Sequence, residues 1–413
     1  MTTATHTTTV TAAPSGAPVL FRTDRATLAH ALTTVGVGLA RRPALPMLGG
    51  VLLDGRDGDL TLTATDLETV ATVRVPAAAP TPGRVLIDHT EATKLLGALV
   101  KGRRKRDADA APVTVRTTDD GTAVLELGGY TMPVTTYAAE DFPTLPATPP
   151  TVAEVDRERF TTDARRVLVA TGTDDTLPMA MGVQMHLTSG TLTLAGTDRY
   201  RLAVAELAAT TTTDERAVFF PTPVLSAALK HATAERVRVG IGNDGGAGEW
   251  VSLVCGALTV ITRPVEAQFP AYERLFPEVT ATARADRDAL TQATARAAAA
   301  LEAKKHTSRD KHGHRTAAQV ALTVDPAGTV SIAPVLGEHA DAVTAPAHPA
   351  VVGGAGEPMR VLFSAPYLRD ALTVLDGDTV LFQLATPTHP VLLTGAGGHA
   401  YRHLLMPVRQ PKS

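Results

Sequence analysis

The chain has 413 residues, 44% of them hydrophobic, enough for about three ordinary domains that each bury a core. Its 39 Lys and Arg against 42 Asp and Glu leave no net field to draw the whole molecule to nucleic acid, so any phosphate contact must come from charge segregated onto one face. A single cysteine, Cys255, excludes a disulfide framework and a cysteine-built metal site and fits a reducing cytoplasm; no apolar run is long enough to span a membrane.

Residues 1–18, rich in Thr and Ala, lack the charged start of a signal peptide and read as a disordered tail. Residues 27–40 then place Leu28, Ala31, Leu32, Val35 and Leu39 at three- and four-residue spacing on one helix face, and Pro43 stops the run. Strands follow over 51–55, 60–66 and 69–75, separated by Asp-Gly turn signals. A second helix over 91–100 and strands near 113–115, 123–127 and 130–135 complete this stretch. The plan recurs with a helix over 159–170, strands over 182–187, 191–195 and 202–207, a helix over 222–232, and strands near Val237, Val251 and Thr259. Cys255 falls among the last of these and reads as a small buried strand residue.

The recurrence is regular. Asp24-Arg25, Asp156-Arg157 and Asp286-Arg287 each precede a helical run, at steps of 132 and 130 residues. Val85-Leu86-Ile87, Val218-Phe219-Phe220 and Val361-Leu362-Phe363 are spaced by 133 and 143; Met132-Pro133-Val134, Arg263-Pro264-Val265 and Met406-Pro407-Val408 by 131 and 143. A period of this size is a whole domain used three times. The Pro-rich stretch 143–151 and a second break at 277–283 bound the repeats as 19–146, 147–275 and 276–413, and the extra length of the third is assigned to a charged insertion at 304–315. Each repeat reads as two copies of a helix plus a small antiparallel sheet, an α+β architecture with helices on one surface and sheet on the other. Such a body is a scaffold more naturally than an enzyme.

No catalytic motif competes with that reading. The chain has no His-Glu-x-x-His, no Gly-x-Ser-x-Gly and no phosphate-cradling Gly-x-x-x-x-Gly-Lys loop. His306, His312 and His314 lie in the insertion among Lys and Arg residues that repel a cation; a metal-dependent hydrolase would have to use them. The Gly-rich stretches 242–248 and 353–356 read as hairpin turns. Basic residues gather on the helices and their ends: Arg42, Lys94, Lys101, Arg103, Arg104, Arg165, Arg166 and Lys230 are the candidate phosphate contacts, with carboxylates at 54–59, 140–141 and 376–378 assigned to an opposite rim.

Four segments carry a family resemblance: Arg42-Pro43-Ala44-Leu45-Pro46-Met47-Leu48, Gly196-Thr197-Asp198-Arg199-Tyr200-Arg201-Leu202-Ala203, Phe269-Pro270-Ala271-Tyr272 and the ending Tyr401-Arg402-His403-Leu404-Leu405-Met406-Pro407-Val408-Arg409. In them the chain resembles the beta sliding clamps of bacterial DNA polymerase III over about residues 19–410, in a form similar to the actinobacterial branch. The resemblance implies three clamp domains per protomer and a head-to-tail homodimer ring with helices toward duplex DNA. It implies no cofactor and no reaction, and as partners the polymerase III alpha subunit, the clamp loader and other proteins carrying short polar-apolar motifs.

It further implies a peptide pocket at Thr197, Arg201, Leu202, Pro270, Arg274, Leu275, Ser364, Tyr367, Met406, Pro407, Val408 and Arg409, with Thr294 standing where the family often has an aromatic and Gln410 where it has an apolar residue. These two departures and the insertion leave open a second-copy clamp with altered partner or antibiotic affinity. For the dimer contact the resemblance places Tyr130 and Met132 against Ala289 and Leu290 of the partner.

Overall fold

A computed structural model of the chain describes residues 20–40, 42–76, 78–118, 121–172, 174, 176–213, 215–243, 248–304, 318–336, 343–396 and 400–408. The tail at 1–18, most of the insertion at 304–315, and Arg409 and Gln410 therefore lie outside the described residues. The helices are α1 (Arg25–Val35), α2 (His89–Ala98), α3 (Lys105–Asp109), α4 (Arg157–Leu168), α5 (Thr222–Ala228), α6 (Arg287–Ala303) and α7 (Ala365–Val374). The helical spacing predicts α1, α2, α4 and α5, and the repeat landmarks at Asp286-Arg287 and Val361-Leu362-Phe363 predict α6 and α7; α3, a single turn inside the basic stretch after α2, is not foreseen. Contacts divide the chain into two compact units, one of residues 1–152 with 227–263, the other of 153–226 with 264–413, so the cut falls inside the second sequence repeat.

The Asp-Arg landmark has a physical cause. Asp24, Asp156 and Asp286 cap α1, α4 and α6, each accepting a hydrogen bond from the backbone N–H three residues on. In the first and third repeats the arginine that follows ties the first helix to the second: Arg25 Nε donates to Leu96 O at 3.1 Å and Arg287 Nη1 to Leu375 O at 2.7 Å. Both carbonyls lie at helix C-terminal ends, where a cation is favoured. Arg25 also pairs with Asp109 at 2.6 Å.

In the first unit, the strands run antiparallel in the order Thr136–Tyr137, Gly83–Asp88, Gly50–Arg56, Asp59–Thr65, Thr69–Pro76, Leu258–Thr262, Glu249–Cys255, Arg236–Asn243. A separate 5-stranded sheet ends in Tyr130–Val134 as its edge. In the second unit, Gly182–Thr188, Thr191–Thr197 and Arg201–Thr211 continue into Tyr401–Leu405, Val391–Gly395, Thr379–Leu384 and Ala281–Asp286. One joint recurs in both units: the last strand of one repeat zips onto the strand that follows the Thr-Asp turn of the repeat before it, Leu258–Thr262 onto Thr69–Pro76 and Tyr401–Leu405 onto Arg201–Thr211.

Alternation puts one side of each strand under the helices, where Leu53, Leu62, Ile87, Phe220 and Phe382 are among the largest fully buried side chains. Cys255 is buried and its thiol is pushed up to about 12 by that burial. Arg236–Asn243 and Glu249–Cys255 pair antiparallel on either side of the stretch 242–248, of which 244–247 lie outside the described residues. The stretch 353–356 is not a hairpin turn, because Ala347–Gly353 pairs with Ala281–Asp286 and Thr329–Pro334 while Met359–Ser364 pairs with Gln319–Asp325.

Candidate functional site

In the second unit a groove is built around the turn that follows Thr191–Thr197. Thr197 Oγ1 donates to Arg201 O at 2.8 Å and accepts from Arg199 N at 3.1 Å, while Asp198 Oδ1 accepts from Tyr200 N and Arg201 N at 3.0 Å each. Arg199 sits in the left-handed region at φ 75, so the turn is fully saturated by its own Thr and Asp side chains. It turns Tyr200 outward, 55% exposed, and Arg201 inward. Arg201 is clamped by Asp198 at 2.9 Å and Asp370 at 2.9 Å, and its guanidinium lies 4.3 Å from the Tyr367 ring centroid. Tyr367 and Tyr200 stand 6.3 Å apart. Burial, and then the charge of Asp198, hold the Tyr367 hydroxyl above its usual range, keeping it a neutral donor.

The floor is apolar. Leu202 and Leu404 are direct cross-strand partners and form a cluster with Ala195, Val204 and Leu392. Phe269, Tyr272 and Phe276 pack against it in successive contacts of 5.7 and 6.2 Å. With those aromatics turned in, the same linker leaves Pro270, Arg274 and Leu275 exposed. The chain end closes the far wall: Met406 N donates to Tyr200 O at 2.9 Å and Val408 N to Leu362 O at 2.8 Å, which lays residues 406–408 across the groove with Met406 37% exposed. Ser364 stands at the N-terminal boundary of α7 without capping it through its side chain, and its buried hydroxyl has no hydrogen-bond partner among the described residues. An extended peptide with apolar anchors and one or two polar groups fits this chemistry.

Thus Thr197, Arg201, Leu202, Pro270, Arg274, Leu275, Ser364, Tyr367, Met406, Pro407 and Val408 lie on the elements that build one groove. Thr294 does not join them. It is fully buried on α6 and its hydroxyl donates to Leu290 O at 2.8 Å, so its side chain fills the helix core. Thr294→Phe should therefore overpack that core, lowering stability by about 1–3 kcal/mol without changing peptide affinity. Denaturant titration beside a peptide titration checks both halves. Sequence reasoning missed Asp198, Tyr200 and Asp370. A usable signal was there, since Thr65-Asp66 and Thr197-Asp198 repeat at the same step of 132.

Below the groove, Tyr401 and His403 are buried side by side, the hydroxyl 2.9 Å from His403 Nδ1 and donating to Arg166 O at 3.2 Å. The phenol has one proton and the carbonyl takes it, so Nδ1 is the protonated nitrogen and Nε2 is left bare, with no partner among the described residues. Burial, with Arg201 adding to it, depresses the imidazole to about 3. The folded state thus refuses a proton that the unfolded chain accepts below about 6.5. Stability is complete above that pH and falls by about 1.4 kcal/mol per unit as pH drops from there toward 3. In His403→Phe this slope should be shallower by one proton, read from urea unfolding at a series of pH values.

Of the candidate phosphate contacts, Arg42, Lys94, Lys101, Arg103, Arg104, Arg165 and Lys230 are exposed. Lys94 rides on α2, and Lys101, Arg103 and Arg104 on the turn that leaves it. Arg166 is a correction. It is half-buried and committed to Asp163 at 3.0 Å and Asp376 at 2.9 Å, so its charge is spent inside the protein. Asp376 correspondingly belongs to an ion pair and not to an acidic rim. Asp54 and Asp59 likewise have arginine partners, Arg56 and Arg74.

For the dimer contact, Tyr130 is 59% exposed on the edge strand and Met132 is partly so. Leu290 is a correction: it is fully buried in its own domain against α6 neighbours and presents nothing to a partner. Ala289, next to it at the start of α6, is only partly exposed, and exposed residues farther along include Gln292, Ala295, Arg296, Ala299 and Ala300. Among the described residues no group of three or more His, Cys, Asp or Glu is gathered to hold a metal, and no helix is long and apolar enough to cross a membrane.

The chain is 29% identical over 398 residues to the beta sliding clamp of Streptomyces coelicolor, covering 94% of this chain and 98% of that one. It is 26% identical to the beta sliding clamp homolog GriR of Streptomyces muensis, covering 94% and 99%. Its fold matches the crystal structure of the DNA polymerase III subunit beta from Pseudomonas aeruginosa with a TM-score of 0.80 at 23% identity, over 95% of this chain and 100% of that one. A structure of the Pseudomonas aeruginosa clamp bound to griselimycin matches with the same score. The N-terminal, central and C-terminal domain families of the DNA polymerase III beta subunit match residues 19–146, 154–271 and 273–409 in turn, and the chain belongs to the DNA polymerase III beta subunit family, the beta sliding clamps.

Proposed function

We propose that two copies of this chain close head to tail around duplex DNA and tether replication proteins, the polymerase III alpha subunit and the clamp loader among them, through the groove of the second unit. The observation that carries the ring is the repeated joint. The last strand of the second repeat pairs onto the first and that of the third onto the second. The last strand of the first, Tyr130–Val134, remains an edge, with Tyr130 exposed. Its counterpart acceptor in the third repeat is the run 343–346 just before Ala347–Gly353, which holds no strand of its own. A second copy satisfies both ends at once, and heterologous contacts that close leave no free end.

On this reading the protein performs no reaction. Its grip on DNA is topological, and the exposed Lys and Arg give weak, exchangeable phosphate contacts that permit sliding. Arg103→Ala with Arg104→Ala should weaken duplex binding equally on unrelated sequences and reduce the slope of log affinity against log salt by roughly one per lost contact. Persistence on closed circles after loading, with loss on linearisation, is the companion result. A strong preference for one DNA sequence would refute sliding. Identity to the homolog GriR is no higher than to the Streptomyces coelicolor clamp, which gives no ground for preferring a second-copy role.

A further inference from the structure

The turn that builds the groove of the second unit occurs again in the first, bond for bond. Thr65 Oγ1 donates to Thr69 O at 2.9 Å and accepts from Leu67 N at 3.0 Å; Asp66 Oδ1 accepts from Glu68 N at 3.1 Å and Thr69 N at 2.6 Å; Leu67 takes the left-handed φ of 80 where Arg199 has 75. The latch is copied too. Arg263 N donates to Glu68 O at 3.1 Å, as Met406 N does to Tyr200 O. So is the floor: Val70 and Ile261 are cross-strand partners as Leu202 and Leu404 are, and with Trp250 they form an apolar cluster.

The wall differs, with Glu68, Thr69 and Arg263 standing where the second unit has Tyr200, Arg201 and Met406, and so does what lies on the floor. In the second unit the residue three places after the capping Phe276 is Val279, which is 45% exposed. In the first unit the residue three places after the equivalent Phe142 is Leu145, and it packs against Val70, Trp250 and Ile261. The stretch that carries Leu145 is pinned. Ile241 N donates to Pro150 O at 3.2 Å, and a Cβ on Gly240 or Gly242 would meet Pro149 O at 2.7 Å or Pro150 Cδ at 2.8 Å, so both glycines are needed for the linker to lie this close. Arg263 covers the side of the cluster, its guanidinium 3.7 Å from the Trp250 ring centroid.

We infer that the first unit holds a second seat with the same turn, latch and apolar floor, for the same class of extended peptide with apolar anchors, kept shut by the protein's own linker through Leu145. The inference rests on the peptide reading of the second-unit groove. Trp250 is the only tryptophan in the chain and lies on the seat's floor, so it reports occupancy directly.

The test uses full-length protein and a fluorescein-labelled peptide with one glutamine followed by leucine and phenylalanine. Unaltered protein should take one peptide per protomer without disturbing Trp250 emission. Leu145→Ser should shift that emission to the red before any peptide is added and admit a second equivalent, whose binding moves the emission back. Gly242→Val, which lifts the linker without touching Leu145, should give the same second equivalent, and Leu67→Asp added to Leu145→Ser should remove it while the first remains. The inference is overturned if both opening variants stay folded by circular dichroism and keep the unaltered emission and one-to-one binding, or if they fold only with Trp250 still dry. Failure of the unaltered protein to bind any peptide would instead strike the second-unit reading, because the emission change in Leu145→Ser needs no peptide.

Discussion

Tyr130→Asp should convert a protein that sediments as a dimer at micromolar concentration into a 43.0 kDa monomer. The side chain is 59% exposed at the start of the edge strand Tyr130–Val134, so the change leaves the isolated protomer intact. In the closed ring it removes the burial of an aromatic, about 1.5–3 kcal/mol, and places a carboxylate against an apolar strand edge, which costs several more unless it is paired. The ring has two copies of the contact, so the penalty applies twice. Leu290→Asp is not an equivalent test, because a charge at that fully buried position would unfold α6 from its own core. Sedimentation velocity on the unaltered chain and on Tyr130→Asp, with circular dichroism to show both are folded, decides the matter. A monomer from the unaltered protein at those concentrations would end the strand-edge account.

The threefold repeat was legible because its landmarks have structural duties that tolerate little drift. Asp24, Asp156 and Asp286 cap helices, and Arg25 and Arg287 after the first and third of them reach the ends of the second helices. Helix α3 escaped the periodicity because Lys105–Asp109 buries a single residue, Ala108, and one apolar position has no period. In the groove, the residues were carried over by the family resemblance of the segments 196–203, 269–272 and 401–409, while the Thr-Asp turn that orders them went unread. The placement of Thr294 and Leu290 was not legible, since residues on one helix look alike in sequence whether their face turns to solvent or core, and only the packing of α6 settles which. Arg166 illustrates the same limit for charge: its neighbour Arg165 is exposed, while Arg166 is drawn inward by Asp376, 210 residues away.

Deleting residues 406–413 should abolish peptide docking and leave the dimer untouched. The strand pairing Arg201–Thr211 with Tyr401–Leu405 ends at Leu405, so the sheet keeps every cross-strand partner it has up to that point. What goes is the strap: the bonds from Met406 N to Tyr200 O and from Val408 N to Leu362 O, and with them the wall that faces Tyr200 and Tyr367. An anchoring side chain then loses one apolar side of its seat, about 1.5–3 kcal/mol for a methionine-sized contact, and the exposed edge of Leu202 and Leu404 is opened to water. Affinity for a labelled leucine- and phenylalanine-bearing peptide should fall by roughly 10- to 100-fold or more, while sedimentation stays that of the dimer. Met406→Ala, which keeps the backbone strap, should give an intermediate loss and so separates the side chain from the strap. Full affinity in the truncated protein would mean that peptides enter elsewhere, and that Arg201, clamped between Asp198 and Asp370 beneath Tyr367, is a structural joint of the second unit and nothing more.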